Sequence, residues 1–553
     1  DLLKAVINNK KLAYYTTLES NEGRADMFVN AFINRQEWSD VAHRMDRISK
    51  ITKQQIVDFA NRHFRDNYVT VYKRIGNDTS IKKIDKPQIT AIPTNRDMQS
   101  AFVAEITNAK TTPIQPRFVD FNKDLAKGTT SKGLPVLYVK NTENGRFSLN
   151  YYFEFGEESD KWLPYAADYF EYLGTDKMSA EELKQKFYQL ACDFEISVGT
   201  KTSSIALRGL AENMTQAMAL MEDFLAHAKA DNEAYAQYIA LEEKARTDNK
   251  LSQESNFNAL RAYGTYGPYN QARNIPSSQE LKEMNPQQLV DKIKAFGNYK
   301  HTILYYGPME QDELIASVDR NHPTASTLAD VPVGKPYTLQ STPKNEVFIA
   351  PYDAKNIYMV QYHNENRAWD AARQPVIDLF NEYFGGGMNT VVFQELREAR
   401  GLAYSAGASY VTPAYKGRPE YAMTFIISQN DKMTDCIRTF NEIINTMPQS
   451  DKAFELAKQA LLKRLATART TKMGIINAYL NAKFRGIDYD INEKVYNAAA
   501  SLTLDDIARF EKEAMANKPY RYLILGNEKE LDMKALEKIG PVKRLTTEEI
   551  FGY

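Results

Sequence analysis

Side chains that could bind a metal ion are sparse in this sequence of 553 residues. Proteins bind zinc mainly through Cys and His, and helical zinc motifs place two His within one turn. The histidines are His43, His63, His227, His301, His322 and His363. No two of them lie within one helical turn of each other, so the sequence predicts no zinc site in this chain.

Nucleophilic and phosphate-binding patterns are missing as well. Cys192 and Cys436 are far apart and have no recognisable His and Asn or Asp context, so we interpret both as small buried residues. The sequence has no Gly-x-Ser-x-Gly elbow. The run Gly385–Gly387 lacks the Gly-Lys-Ser/Thr ending of a phosphate loop and the spaced glycines of a dinucleotide site. It predicts a tight or flexible loop before a helix.

Composition indicates an ordinary globular protein without a charged partner surface. The net charge is −1, and 43% of the residues are hydrophobic. Basic and aromatic residues are dispersed, which argues against nucleic acid as a partner. No apolar run approaches the roughly 18–20 residues that span a bilayer, so no membrane span is expected. The chain opens within a helical pattern and without Met, which we interpret as a fragment of a longer protein.

One pattern of about 25 residues occurs three times in the sequence. Each copy has a polar start, an amphipathic helix, a turn and a predicted strand that ends in Gly. The copies span Ile51–Gly76, Met284–Gly307 and Leu502–Gly526. Thr52, Asn285 and Thr503 are predicted to cap the three helices. Only the second and third copies follow strand-rich sequence, so the repeat predicts one partial and two complete domains.

The complete domains are predicted to be α+β, each with a mainly antiparallel sheet and helices packed on one face. The second domain shows a strand at 134–139, an alternating strand at 147–155, a hairpin at 194–210 and an apolar helix face from Met214 to Leu225. The third domain repeats this plan. The predicted divisions are 1–85 for the C-terminal half of a truncated domain, 86–117 for a linker, 118–325 for the first complete domain, 326–343 for a second linker and 344–553 for the last domain.

A stretch that starts at Leu163, LPYAADYFEYLGTDKMSAEELKQKF, resembles the zinc-binding segment of the insulinase/pitrilysin metallopeptidases. That family has His-x-x-Glu-His on a helix, where the His bind zinc and the Glu acts as general base. Aligned on Gly-Thr, this chain has Tyr165 and Tyr169 at the His positions and Asp168 at the Glu position. Phenols with a reference pKa near 10 are poor zinc ligands. Glu243, near the family's third-ligand position, is predicted to be a solvated helix residue.

A second stretch, FGGGMNTVVFQELREARGLAYSAGASY from Phe384 to Tyr410, is similar to the family's C-terminal motif. Gly401 suits a left-handed helix cap. The resemblance implies that Arg397 and Tyr404, seven residues apart, contact the substrate and its scissile carbonyl. The alternative is structural: Arg397 would pair with Glu395 or Glu398 on a helix surface, and Tyr404 would be half-buried packing.

The resemblance covers nearly the whole chain. It implies the C-terminal portion of a zinc metalloendopeptidase, with 118–325 an inactive peptidase-like domain and 344–553 the domain that carries Arg397 and Tyr404. Zinc would be bound outside this chain, by an N-terminal half in the same polypeptide or in a separate subunit. Substrates would be peptides or small unfolded proteins enclosed in a chamber, and a periplasmic or cell-envelope location is implied. The alternative is a degenerate member that binds peptides or acts as a scaffold without proteolysis.

Overall fold

The computed structural model describes residues 2–76, 80, 82 and 100–553. It divides into two compact units: residues 2–41 with 116–553 form the larger unit, and the described residues of 42–115 form the smaller unit. Of the predicted linker 86–117, residues 86–99 lie outside the described part, and the remainder includes a short helix. Nowhere in the described ranges does a helix have the length and apolar character needed to span a bilayer.

The secondary structure combines two groups of strands with many helices. The strands are β1 Ala126–Thr129, β2 Pro135–Lys140, β3 Arg146–Phe153, β4 Cys192–Val198, β5 Ser203–Leu210, β6 Thr302–Gly307, β7 Glu346–Pro351, β8 Asn356–His363, β9 Ser405–Val411, β10 Tyr421–Gln429, β11 Arg521–Gly526 and β12 Val542–Arg544. The helices are α1 Leu2–Leu18, α2 Asn21–Ile33, α3 Trp38–Ala42, α4 Arg44–Ile48, α5 Lys53–His63, α6 Ala101–Asn108, α7 Leu163–Phe170, α8 Ala180–Leu190, α9 Met214–His227, α10 Asn232–Leu251, α11 Gln253–Tyr266, α12 Ser278–Glu283, α13 Pro286–Lys294, α14 Gln311–Asn321, α15 Gln374–Phe384, α16 Val391–Phe393, α17 Met433–Asn445, α18 Asp451–Thr467, α19 Met473–Arg485, α20 Ile491–Ala499, α21 Leu504–Ala514, α22 Met533–Ile539 and α23 Thr547–Phe551.

The strands form two six-stranded sheets built on one plan. The first sheet has the order β1-β2-β6-β3-β5-β4, and the second has the order β12-β7-β11-β8-β10-β9. Five strands correspond in order and direction, with one parallel pair (β2 with β6, β7 with β11) followed by antiparallel pairs. The sheets differ at one edge, where β1 joins antiparallel and β12 joins parallel. The predicted α+β class with repeated, mainly antiparallel sheets is confirmed.

Each sheet has a large core on the face covered by its own helices. On the first sheet, Leu149 and Tyr151 of β3 pack with Met218 and Met221 of α9. On the second, Met359 of β8 packs in a second large core with residues of α15 and α17. The alternating apolar residues at 147–155, from which β3 was predicted, are all buried in the first core. Cys192 and Cys436 are free thiols within these cores, as expected.

The opposite face of each sheet is covered by a helix from the other half of the larger unit. Helix α11 packs on the second sheet, where Leu260 joins Leu523 and Leu525 of β11 in one cluster. Helix α19 packs on the first sheet, where Leu480 joins Leu304 of β6. Contact between α11 and β11 is so close that a Cβ at Gly264 would lie 2.3 Å from Leu523 Cδ2. The sequence did not predict this exchange of helices.

The repeated pattern forms its helix in all three copies but its strand in only two. Thr52, Asn285 and Thr503 cap α5, α13 and α21 through their side chains, as predicted. In the second and third copies the strand enters the middle of a sheet as β6 or β11. In the first copy, residues 64–76 form no strand among the described residues. This strand was predicted from its sequence, and the described part of the smaller unit provides no sheet for it to join.

Candidate functional site

Arg397 lies in a helical turn that is wider than an α-helix. Thr390 donates its hydroxyl to Gly387 O at 2.7 Å, which closes the glycine loop just before α16. Helix α16 then continues into a π-helical turn, Gln394–Ala399. Phe393 and Leu396 are buried and anchor this turn, while Arg397 is exposed. Single π-helical turns occur frequently at functional sites.

A left-handed glycine ends the turn and directs the chain into β9. Gly401 has a φ of +57°, as predicted for the cap. Its N–H donates to Arg397 O at 3.1 Å, and the N–H of Leu402 donates to Leu396 O at 2.9 Å. These bonds satisfy the last carbonyls of the helix. The N–H of Tyr404 then donates to Ile427 O at 2.9 Å, which fixes Tyr404 at the start of β9.

The turn brings Arg397 and Tyr404 together on the surface. The guanidinium carbon of Arg397 lies 6.0 Å from the centre of the Tyr404 ring and 4.9 Å from that of Phe393. Tyr404 is 76% exposed, so it is not the half-buried packing residue of the alternative. Glu395 pairs with Arg400 at 3.5 Å. The arrangement presents guanidinium and phenol donors side by side, which suits hydrogen bonding to a carbonyl or carboxylate.

On the first sheet's helix α7, Tyr169 has a structural role. Tyr169 is fully buried, and its hydroxyl donates to Asp231 O and accepts from the Asp231 N–H, both at 2.8 Å. Asp231 is also the N-cap of α10. Burial raises the pKa of the Tyr169 phenol. Tyr169 therefore fixes the start of α10, and its oxygen is fully engaged.

Tyr165 faces a buried arginine that was not predicted from the sequence. Arg246 Nη2 donates to Tyr165 Oη at 3.1 Å and to Pro276 O at 2.8 Å. Glu243 was predicted to be solvated, and its side chain is 37% exposed, but its Oε1 is buried and lies 3.9 Å from Arg246 Nη1. The reason is helical spacing, since residues three apart share one face of α10. That i, i+3 relation to Glu243 is the signal that could have identified Arg246.

These residues do not fit a zinc ion. The Tyr169 oxygen is already used twice, and the Tyr165 oxygen accepts from a guanidinium. A fixed positive charge beside the ligand positions opposes a second cation. Asp168 is exposed on the same helix and has no histidine beside it. Across the described residues, no three His, Cys, Asp or Glu side chains are grouped to hold a metal.

The two sets of residues lie at different places in the larger unit. A cavity of about 940 Å³ is lined by Tyr165 and Arg246, but its lining includes neither Arg397 nor Tyr404. The structure therefore brings Tyr165, Tyr169 and Asp168 together on one helix and Arg397 with Tyr404 at another place.

A family profile described as the peptidase M16 inactive domain matches residues 292–461. Residues 292–461 thus match an M16 peptidase inactive domain. The match includes Arg397 and Tyr404 and confirms the family resemblance drawn from the sequence. A comparison of this chain with curated protein sequences finds no match.

Solved M16-like structures share the fold at low identity. The peptidase M16 inactive domain from Pseudomonas fluorescens is 16% identical, with a TM-score of 0.55 over 73% of this chain and 98% of that one. The periplasmic protease PqqL from Escherichia coli is 12% identical, with a TM-score of 0.59 over 95% of this chain and 62% of that one. The ferredoxin protease FusC, solved as a mutant with Arabidopsis ferredoxin, is 11% identical, with a TM-score of 0.58 and the same coverage. This chain thus spans 62% of the length of these two proteases.

Proposed function

We propose that this chain is the non-zinc-binding portion of a zinc metalloendopeptidase that hydrolyses peptides or small unfolded proteins in a closed chamber. The zinc would be held by another half, in the same polypeptide or in a separate subunit. Most of this chain is similar in fold to part of the longer proteases PqqL and FusC, which supports this arrangement.

One observation carries the proposed role of this portion: Arg397 and Tyr404 are adjacent, exposed and anchored by buried neighbours. A guanidinium and a phenol fixed on a rigid turn can donate hydrogen bonds to the scissile carbonyl or to the substrate backbone. Loss of one preorganised donor of this kind costs about 3 kcal/mol of transition-state stabilisation, roughly a hundredfold in rate.

The first copy of the repeat supports the requirement for another half. The apolar face of α5 is open, with Phe59 58% exposed, and the residues that follow include Val69 and Val71, at 89% and 86% exposed. In the other two copies the equivalent strand lies inside a sheet, and the apolar face of the equivalent helix is buried. A partner half that supplies strands to this segment would bury these side chains.

Arg397→Ala tests the site in the protein that includes the zinc-binding half. We expect peptide turnover to fall by about a hundredfold while zinc content and melting temperature stay unchanged. Arg397→Lys keeps the charge but not the planar fork, and it should restore only part of the activity. Arg438→Ala, at another exposed arginine, is the matched control. Turnover that is equal in Arg397→Ala and Arg438→Ala would remove Arg397 from the mechanism.

The alternative is a protein that binds peptides or acts as a scaffold without proteolysis. Tyr stands at both zinc-ligand positions on α7, which is compatible with this alternative. It predicts that the protein with its partner half binds peptide but cleaves none and contains no stoichiometric zinc. Metal analysis of that assembly separates the two functions. The periplasmic location of PqqL supports a periplasmic or cell-envelope location for this protein, and cell fractionation tests it.

A further inference from the structure

Helix α2 has an apolar face that is largely uncovered in the part of the chain that the structure describes. Phe28 and Phe32 lie four residues apart, so they share one side of the helix, and they are 55% and 86% exposed. Val29 and Ile33 beside them are exposed as well. Phe28 stacks on Trp38 with 4.1 Å between ring centres, but Trp38 is itself exposed. Grouped apolar side chains on a surface mark interaction sites.

Helix α2 is held in place by its neighbour α1. The two helices approach closely at Gly23, where a Cβ would lie 2.5 Å from Thr17 O. Helix α1 in turn packs on α8, and Asn9 Nδ2 of α1 donates to Tyr188 O at 2.7 Å. The face of Phe28 is therefore a positioned surface of the larger unit.

Helices α2, α11 and α19 hold the same place relative to the three copies of the repeat. They begin 31, 32 and 30 residues before the cap residues Thr52, Asn285 and Thr503. The N-caps of α2 and α11 are both serine, and Ser20 Oγ and Ser252 Oγ each accept from the N–H three residues further on, at 3.2 and 3.3 Å. The helices just before them, α1, α10 and α18, correspond in the same way.

The exposed face of α2 is the face that the other two helices bury. Counted from the first residue of each helix, Phe28 corresponds to Leu260 of α11 and Leu480 of α19. Both leucines are buried, since each lies against the open face of a sheet. Four residues further on, Phe32 corresponds to Phe484, which packs against the same cluster as Leu480. Aromatic residues thus stand on α2 where the other helices contact a sheet.

In both complete cases the helix covers the sheet that the strand of its own copy does not join. Helix α11 covers the second sheet, whereas β6 of the same copy joins the first. Helix α19 covers the first sheet, whereas β11 joins the second. The two described sheets therefore each have their helix already, and α2 has no further sheet to cover within the described residues.

The length of a similar protease leaves room for another sheet. The match with PqqL covers 95% of 553 residues here, about 525, and 62% of PqqL, which leaves about 320 residues of PqqL unmatched. The predicted first complete domain, 118–325, has 208 residues, and its part before α10, 118–231, has 114. One whole domain and one such part also amount to about 320 residues. A partner half of this size would bring a complete sheet for α2 to cover.

We propose that Phe28 and Phe32 of α2 cover the open face of a β-sheet in the zinc-binding half, and that this sheet is not the one that the strand of the first copy joins. The partner surface is apolar at its centre, as β6 and β11 are where α19 and α11 cover them. This proposal rests on the two-half enzyme proposed above, but only on the existence of the other half and not on the zinc chemistry.

Cysteine labelling of the protein that includes the zinc-binding half tests the position of α2. Cys192 and Cys436 are buried, so an introduced thiol on α2 can be followed by mass spectrometry. Phe28→Cys and Phe32→Cys should react with a maleimide at least about tenfold more slowly than Asn30→Cys, because only the first two thiols need a local opening to react. Asn30 is exposed and two residues from each phenylalanine, on the other side of the helix, which makes it the matched control.

Hydrogen exchange of the same protein gives a second measurement that does not depend on thiol chemistry. Phe28→Asp should reduce protection in strands of the zinc-binding half and leave β6 and β11 unchanged. Asn30→Asp adds the same charge on the other side of α2 and should have no such effect. Equal labelling at positions 28 and 30, or equal exchange in Phe28→Asp and Asn30→Asp, would overturn the proposal.

Zinc content and peptide turnover of the parent report separately on the two-half enzyme. If zinc and turnover are present but positions 28 and 30 react equally, the docking of α2 is refuted and the proteolytic function is not. If position 28 is protected but the protein has neither zinc nor turnover, the docking stands and the proteolytic function is refuted. Protection found only in a particle with two copies of this chain and no other half would assign the α2 face to a second copy and refute the docking.

Discussion

The two sheets contain the same helix-to-strand turn with opposite chemistry. In the first sheet, α8 ends at Ala191 with a φ of +47°, and β4 follows. In the second, the π-helical turn ends at Gly401 with a φ of +57°, and β9 follows. In the first sheet, Phe187 lies four residues before the left-handed residue and Phe194 lies three residues after it. In the second sheet, Arg397 and Tyr404 hold the same two positions.

Both pairs are in contact, but in different environments. Phe187 is buried and stacks on Phe194 with 5.9 Å between ring centres. Arg397 and Tyr404 lie on the surface, with 6.0 Å between the guanidinium carbon and the centre of the tyrosine ring. A spacing of seven residues across a left-handed turn therefore juxtaposes two side chains whatever they are, and the residue types decide between core packing and exposed hydrogen-bond donors. The spacing is thus structural, and only the chemistry of the pair in the second sheet points to function.

The largest difference in stability between the two sheets should appear when one side chain of each pair is replaced by Ala. Phe187→Ala should destabilise the first sheet by roughly 3–5 kcal/mol, because it leaves a cavity in the core. Arg397→Ala should change stability by less than about 0.5 kcal/mol, because it is a surface substitution. Hydrogen exchange of β4 and β9 peptides measures both effects. Tyr188→Ala, at the exposed next position on α8, serves as the control. A large loss of protection in β9 from Arg397→Ala would mean that the second pair is also structural.

Acid should weaken the first sheet more than the second. His301, just before β6, is buried, whereas Tyr520 holds the same place before β11. His301 Nε2 is 2.9 Å from His322 Nε2, and burial lowers the pKa of His301 to about 4. Below its ordinary pKa of 6.5, the unfolded state binds a proton that the folded state does not. Stability should therefore fall as the pH drops from about 6.5 to about 4, by at most about 3 kcal/mol.

Hydrogen exchange at pH 7.5 and 5 checks this expectation. Protection should decrease more for β6 than for β11, and His301→Gln should lessen the difference. The idea fails if β6 and β11 lose protection equally on acidification in the parent and in the variant.

A smaller contrast concerns the helices α13 and α21. Ile293 and Glu511 each follow the N-cap by eight residues, and both are almost completely buried. Glu511 Oε1 has no hydrogen-bond partner among the described residues, and burial raises the pKa of Glu511 to about 7. Since the folded pKa exceeds the unfolded one, the parent loses stability as the pH rises from about 4.5 through 7.

Glu511→Ile should therefore stabilise the second sheet by about 2 kcal/mol at pH 8, and by less at pH 5.5. Melting temperatures at the two pH values measure the gain, and Glu511→Gln separates loss of charge from better packing. A variant that melts at or below the parent temperature at pH 8 would show that Glu511 is stabilised by its surroundings.

Local signals in the sequence predicted the fold well. Thr52, Asn285 and Thr503 mark helix starts because capping depends on one side chain and the next turn, and alternation in 147–155 predicted β3 for the same local reason. The prediction of a strand in the first copy was wrong because a strand requires partner strands, which its own sequence does not specify. The covering of each sheet by α11 or α19 depends on contacts between residues hundreds of positions apart, which no short pattern encodes.

The candidate site was predicted unevenly. Arg397, Tyr404 and the cap at Gly401 were found because they follow a fixed spacing, although the π-helical turn was not foreseen. Arg246 was missed because a lone arginine on a charged helix is common, and its burial arises only when α10 meets Tyr165 and Pro276 O. Whether Arg397 and Tyr404 contact substrate stays a prediction.

The reciprocal covering of the sheets by α11 and α19 has a mechanical consequence. If the two sheets separated, both helices would have to leave the sheet faces that they cover, and two apolar surfaces would be exposed to water. That cost opposes separation of the two sheets. In the two-half enzyme proposed above, a substrate would therefore enter and leave where this chain meets the other half, and the two sheets would move together.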